Sequence, residues 1–173
     1  MDLGLNGKIA IVTGGSDGIG KAAATSMASE GAKVAIVGRT QSKLDAAVAE
    51  IKAESGGAVI GIATDVSVES EVQAMVAKVV AEFGGVDILV NNAGTSSATT
   101  LEKMTDEDLE VDFGIKIYGA IYCARAALPH LKASGSGAIV NTTTPGGKAA
   151  RPGTQPTSLS RSAGISPTKS WAG

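Results

Sequence analysis

Two stretches of this chain carry residues whose types and spacing bear on chemistry. The first is TGGSDGIGKAAATSMASEGA, which starts at Thr13 behind an apolar run and leads into an Ala-rich segment. Three of its glycines, Gly14, Gly18 and Gly20, set the spacing of the turn, with Ser16, Asp17 and Ile19 among the residues between them. A G-x-x-x-G-x-G turn between a strand and a helix suits a dinucleotide. Gly14 permits the tight turn, Gly18 lets backbone approach a pyrophosphate, and Gly20 lets the helix pack closely on the strand. The helix start then offers unpaired N–H groups to the phosphates. The second stretch, GTQPTSLSRSAGISPTKSW over 153–171, holds hydroxyls, an arginine and a lysine. Hydroxyls donate hydrogen bonds, but an aliphatic hydroxyl is a far weaker acid than a phenol, whose pKa is about 10.

A nucleotide site of this kind has an acid about 20 residues beyond the glycine turn when it binds the ribose 2′-OH of NAD. Here that place ends IVGRT, with Gly38 where the acid would be, then Arg39 and Thr40. A guanidinium fork there pairs with a 2′-phosphate, so the arrangement favours NADP(H) over NAD(H), although Asp17 in the turn weighs against it. Two further groups fall at strand ends, where open α/β sheets bind ligands: Asp65 with Val66, and Asn91-Asn92-Ala93-Gly94.

These groups need a frame, and the hydrophobic pattern supplies one. Continuous apolar runs at 8–13, 33–37, 58–63, 86–91 and 137–142 read as buried parallel strands. Helical segments alternate with them. The first spans Ile19 to Glu30, with Ile19, Ala22, Ala23, Met27 and Ala28 inward and Gly31 as left-handed cap. Others run from Gln41 to Ser55, from Ser67 to Phe83 with Ser67 and Ser70 at the cap, over 105–133 opening on TDED, and from Thr157 to about Ser166. The expectation is one α/β domain over 1–173, a Rossmann-type doubly wound parallel sheet with helices on both faces.

Composition narrows the partners. A net charge of −2 with scattered Lys and Arg gives no stripe for nucleic acid and no anchor for a membrane. With 3% aromatic residues, Ala, Val and Ile must fill the core. Cys123, the single cysteine, lies in the apolar run AIYCARAAL and reads as buried; His130 has no companions for a metal site, and none is expected. MDLGLNGK lacks the charged-then-apolar order of a signal peptide, and no apolar run approaches the roughly 20 residues of a membrane span, so a cytoplasmic protein is expected.

TGGSDGIG after the first strand, Asp65-Val66 after the third and NNAG after the fourth together resemble the short-chain dehydrogenase/reductase family, and the resemblance extends through the chain. It implies NAD(P)(H) bound with Asp65 and Val66 near the adenine and Asn92, Ala93 and Gly94 on the cofactor floor. It also implies a small-molecule carbonyl or secondary alcohol substrate, and a homodimer or homotetramer joined through the helices after strands four and five. About five strands of the larger family sheet are present, so later strands and a substrate-covering loop would follow Gly173.

The family's chemistry uses an asparagine, a serine and a Tyr-x-x-x-Lys pair, and all four differ here. Lys116 stands at the asparagine in Lys116-Ile117-Tyr118-Gly119, Thr144 at the serine, Thr157 at the tyrosine and Arg161 at the lysine. Thr144 keeps a donor hydroxyl. Thr157 keeps neither the acidity nor the reach of a phenol, and Arg161 keeps charge but exchanges no proton. Lys116 drawn into a cleft beside Arg161 would act as an acid/base; alternatively it faces solvent or pairs with a neighbouring carboxylate. Three functions stay open on these residues. One is an NADP(H)-dependent oxidoreductase, one a catalytically impaired nucleotide-binding relative, and one a lyase or isomerase reusing the pocket.

Overall fold

The computed structural model describes residues 3–172; residues 1 and 2 of the N-terminal stretch and residue 173 lie outside the described residues. Five parallel strands form the sheet: β1 (Ile9–Thr13), β2 (Lys33–Gly38), β3 (Val59–Ala63), β4 (Ile88–Asn91) and β6 (Ala138–Asn141), in the order β3-β2-β1-β4-β6. Each lies inside or within a residue of an expected run. Ile11 sits opposite Ala35 on one side and Leu89 on the other. The order reverses between β1 and β4, which is where a doubly wound sheet opens its ligand crevice.

Alternation along β1 sorts the core into two layers. Ala10 and Val12 pack with Ala24 and Ala28 of α1 (Gly18–Ser29) and Leu44, Ala47 and Ile51 of α2 (Gln41–Ser55). Ile9 and Ile11 pack on the opposite face, with Val72, Met75 and Val79 of α3 (Glu69–Phe83) and Cys123, Ala127 and Leu131 of α5 (Gly119–Ala133). In the chain, β5 (Ala98–Thr99) and α4 (Asp106–Phe113) precede α5; β5 pairs antiparallel with β7 (Gln155–Pro156), which leads directly into α6 (Thr157–Ser170).

Four local expectations change. The buried face of α1 is Gly20, Ala24 and Ala28, and Ile19 is 72% exposed; the close approach at Gly20 sets the helix rotation, and the apolar count does not. Helix α3 begins at Glu69 behind Val68, because the Ser67 hydroxyl donates to Asp65 instead of capping. The 105–133 segment is two helices. A Thr105–Asp108 capping box starts α4, and a wide turn over 114–118, closed by the Gly119 N–H on the Gly114 carbonyl, joins it to α5. Such five-residue turns cluster at functional sites. Helix α6 runs past 166 to Ser170 although Pro167 lies inside it, with Thr168 and Ser170 hydroxyls donating to the carbonyls of Gly164 and Pro167. Among the described residues no helix is long and apolar enough to cross a membrane.

Candidate active site

At the β1 end the site is backbone tied together by two side chains, Thr13 and Asn92. The Thr13 hydroxyl donates to the Val90 carbonyl and accepts from the N–H groups of Asn92 (2.9 Å) and Ala93 (3.0 Å). The Asn92 amide returns two bonds, to the carbonyls of Thr13 (3.1 Å) and Gly14 (3.2 Å). Glycine turn and NNAG floor are thus one hydrogen-bonded unit. Gly14 takes the left-handed conformation at φ +65°, and a Cβ on Gly20 would sit 2.2 Å from the Gly14 carbonyl oxygen and 2.5 Å from the Asn92 amide nitrogen. Gly18 differs. Its φ is +52°, and a Cβ there would meet nothing within 4 Å, so its outer side is open to a ligand.

Asp17 caps α1 by accepting from the Gly18 N–H at 2.7 Å. Arg39 and Thr40 are exposed beyond β2, and the Ser16 hydroxyl oxygen lies 3.5 Å from where a Cβ on Gly38 would be. At the end of β3 the hydroxyl and N–H of Ser67 both bond Asp65; the hydroxyl bond is the main reason its carboxyl sits below the usual range, with Arg39 adding to it and burial opposing. Val66 is buried.

The other end of the crevice is made of charged side chains. Asp112, fully buried, and Lys116, 6% exposed, form an ion pair across four positions of helix and wide turn. The Lys116 ammonium also donates to the Thr157 hydroxyl oxygen at 3.0 Å. That hydroxyl gives its own proton to the Ser97 carbonyl (2.8 Å) and accepts from the Ser97 N–H (3.2 Å). Arg161 donates to the Thr142 carbonyl, while its Nε is buried without a partner among the described residues. Burial pulls Lys116 below its ordinary value, with Asp112 opposing and Arg161 adding; Arg161 is lowered by burial too, with Asp112 opposing.

Gly94 joins the two ends. A Cβ there would lie 2.8 Å from an Arg161 terminal nitrogen and 3.4 Å from Lys116 Cε, so the cluster closes over the NNAG floor only because that residue is glycine. Lys116, Thr144, Arg161, Val66 and Ala93 line one chamber of 460 Å³. Thr144 is exposed at its edge, ahead of the short turn Pro145–Gly147. Gly14, Ser16, Asp17, Gly18, Ile19, Gly20, Arg39, Thr40 and Asp65 lie outside this chamber, along the ends of β1, β2 and β3.

Lys116 takes something from each alternative: it is drawn inside beside Arg161, and there it pairs with a carboxylate, Asp112. Asp112 escaped the sequence reading, though its place four residues before Lys116 is a legible signal for a shared helix face. Thr13 escaped it as well. Cys123 is buried as expected, its thiol pushed up to about 12 by burial, and among the described residues no group of three His, Cys, Asp or Glu is placed to hold a metal.

A model of the short chain dehydrogenase family matches residues 8–173. Oxidoreductase asL5 of Sarocladium schorii is 39% identical over 169 residues, covering 98% of this chain and 66% of that protein. Among solved structures, L-sorbose reductase from Gluconobacter frateurii, complexed with NADPH and L-sorbose, superposes with a TM-score of 0.95 at 35% identity over 99% of this chain and 65% of its own. NAD+-bound xylitol dehydrogenase superposes with a TM-score of 0.93 at 30% identity over 97% and 65%. The chain therefore spans just under two thirds of the length of these relatives.

Proposed function

This chain belongs to the short chain dehydrogenase family, an oxidoreductase family that binds NAD(P), and on that premise we propose an NADP(H)-dependent oxidoreductase acting on a carbonyl or secondary alcohol, with Lys116 as its acid/base group. The observation that carries the reading is the Lys116 ammonium, buried on the chamber wall and 3.0 Å from the Thr157 hydroxyl. Thr157 is no proton source, because its hydrogen is committed to Ser97. Thr144 and Arg161 hold charge or hydrogen bonds but pass no proton near neutral pH.

The residues present suit a dinucleotide: an open side at Gly18, a floor of Asn92, Ala93 and Gly94, and Asp65 with Val66 at the adenine end. A bound nicotinamide would supply the hydride chemistry. What the chain supplies is position and a proton. Asp112 holds the ammonium in place, burial beside Arg161 makes it a better acid than a solvated lysine, and Thr144 offers a hydrogen bond at the chamber edge. The absence of an acid at Gly38, with Arg39 and Ser16 beside it, supports NADP(H) over NAD(H). Arg39→Ala should weaken NADPH binding about 10-fold and leave NADH binding unchanged, as read by nucleotide fluorescence titration.

We further propose a cytoplasmic homodimer or homotetramer, with the 173 residues as one nucleotide-binding domain. A second reading, a nucleotide-binding relative without turnover, is favoured by the pinning of Lys116 to Asp112. NADPH oxidation over a panel of ketones separates the two. Turnover that falls about 100-fold in Lys116→Met supports the acid/base role, and turnover unchanged in that variant removes it.

A further inference from the structure

Inward from Lys116 and Arg161, the chamber continues between α5, α6 and the ends of β4 and β6. The face that α6 turns to it is unusual for a helix covering a sheet. Ser160, Gly164, Thr168 and Trp171 follow one another at helical spacing, and three of them are small. A Cβ on Gly164 would touch only Ile117 Cδ1, at 3.8 Å. The helix therefore leaves an open-sided cleft between itself and the sheet.

The walls are mainly apolar, including Ile115, Ile121 and Ile165, and their polar groups are largely satisfied. The Ser160 hydroxyl donates to the Thr157 carbonyl, and that of Thr168 donates to the Gly164 carbonyl and accepts from Asn141 at 2.9 Å. Cys123 contributes a neutral thiol. Lys148 and Lys169 also border the chamber, and both residues are exposed. Two buried polar side-chain atoms of the lining lack a partner among the described residues, Arg161 Nε near the mouth and Asn91 Oδ1 on the inner wall. Asn91, 8% exposed, donates to Asn141 Oδ1 at 2.9 Å, and its own Oδ1 has no partner among the described residues. Water would satisfy that oxygen but not the apolar walls.

We propose that this chamber binds a compact, uncharged molecule with an apolar body and one hydrogen-bond donor, on the scale of a substituted benzene ring, with the donor on Asn91 Oδ1. A polyhydroxylated ligand would bury several hydroxyls against inner walls that are mainly apolar, and so is disfavoured. Since Lys116 lines the same space, the substrates of the proposed reaction narrow to apolar-bodied carbonyls and alcohols. That narrowing rests on the redox reading; the binding site does not.

Trp171 lines the chamber and is the single tryptophan of the chain, so its fluorescence reports binding without turnover. The full chain is titrated with benzyl alcohol, benzyl methyl ether and xylitol. Saturable change with benzyl alcohol, about 5-fold weaker binding of the ether, and no response to xylitol are expected. Gly164→Leu should fill the space and weaken benzyl alcohol about 10-fold, with the thermal midpoint unchanged or raised. No saturable response to benzyl alcohol, equal affinity for the ether or for xylitol, or undiminished binding in a folded Gly164→Leu protein would overturn the site. NADPH titration and ketone turnover are separate measurements, so failure here leaves the redox reading standing or falling by itself.

Discussion

The two ends of the crevice rest on one sheet and are built on opposite principles. At β1 two uncharged side chains, Thr13 and Asn92, bond only backbone groups, with glycine where anything larger would collide: a Cβ on Gly20 would lie 2.2 Å from a carbonyl oxygen. At the other end, where α4, the wide turn and α6 meet, charged side chains bond one another: Asp112 pairs with Lys116, Lys116 bonds Thr157, and Arg161 lies alongside, bonded to the Thr142 carbonyl. A site made of backbone tolerates little exchange at its glycines, because a new atom has nowhere to go. A side-chain site can be rewritten as long as charge and hydrogen bonds are balanced. Here the buried Lys116 is balanced by a buried aspartate.

That contrast can be broken at either end. The largest effect should come from Asp112→Ala, which leaves the Lys116 charge buried with only a hydroxyl beside it; the loss should be about 3–5 kcal/mol in urea unfolding. The double variant with Lys116→Met should recover much of it, and a double variant no more stable than the single one would mean that the aspartate matters for some other contact. Next comes Gly20→Ala, expected to cost about 1–3 kcal/mol from overpacking and to remove NADPH binding. Binding retained there would show that the turn yields, and that the backbone end is not the rigid one.

A subtler separation is in pH. Burial holds Lys116 below the ordinary lysine value of 10.5. Between its folded-state value and 10.5 the unfolded chain binds more protons than the folded chain, so this residue makes stability climb as pH rises through that window and decline as pH falls back through the folded-state value. Urea midpoints measured across the alkaline range should rise for the wild type relative to Lys116→Met, and parallel curves would mean that the lysine is not desolvated. The smallest effect is the control. Arg125→Ala, which breaks an exposed pair with Glu69 at 2.9 Å, should change stability by less than about 0.5 kcal/mol and leave both ends of the crevice untouched.

Much of the frame was legible because it depends on short-range pattern. The strand runs around Ile11, Ile36 and Leu89 are continuous and apolar, and the Gln41–Ser55 helix lies between a turn and a glycine cap. Features that depend on competing partners were less legible. Ser67 has the right chemistry for a cap, but Asp65 lies two residues away and takes its hydroxyl. Ile19 has the right hydropathy for the core, but the fit of Gly20 against Gly14 turns it outward. The wide turn at 114–118 leaves no mark in a 3.6-residue period, and without it the relation of Asp112 to Lys116 is only a spacing.

The sequence by itself determined the parallel sheet and the glycine turn, because apolar runs and glycines act through local sterics and burial. The tertiary structure alone decided what surrounds Lys116. Lys116 belongs to a water-excluded cluster only because α6 brings Thr157 and Arg161 against the wide turn, 41 and 45 residues further along the chain, over a floor that Gly94 keeps thin. Charge and proton affinity depend on what surrounds a side chain in space, and that neighbourhood exists only once the sheet has closed.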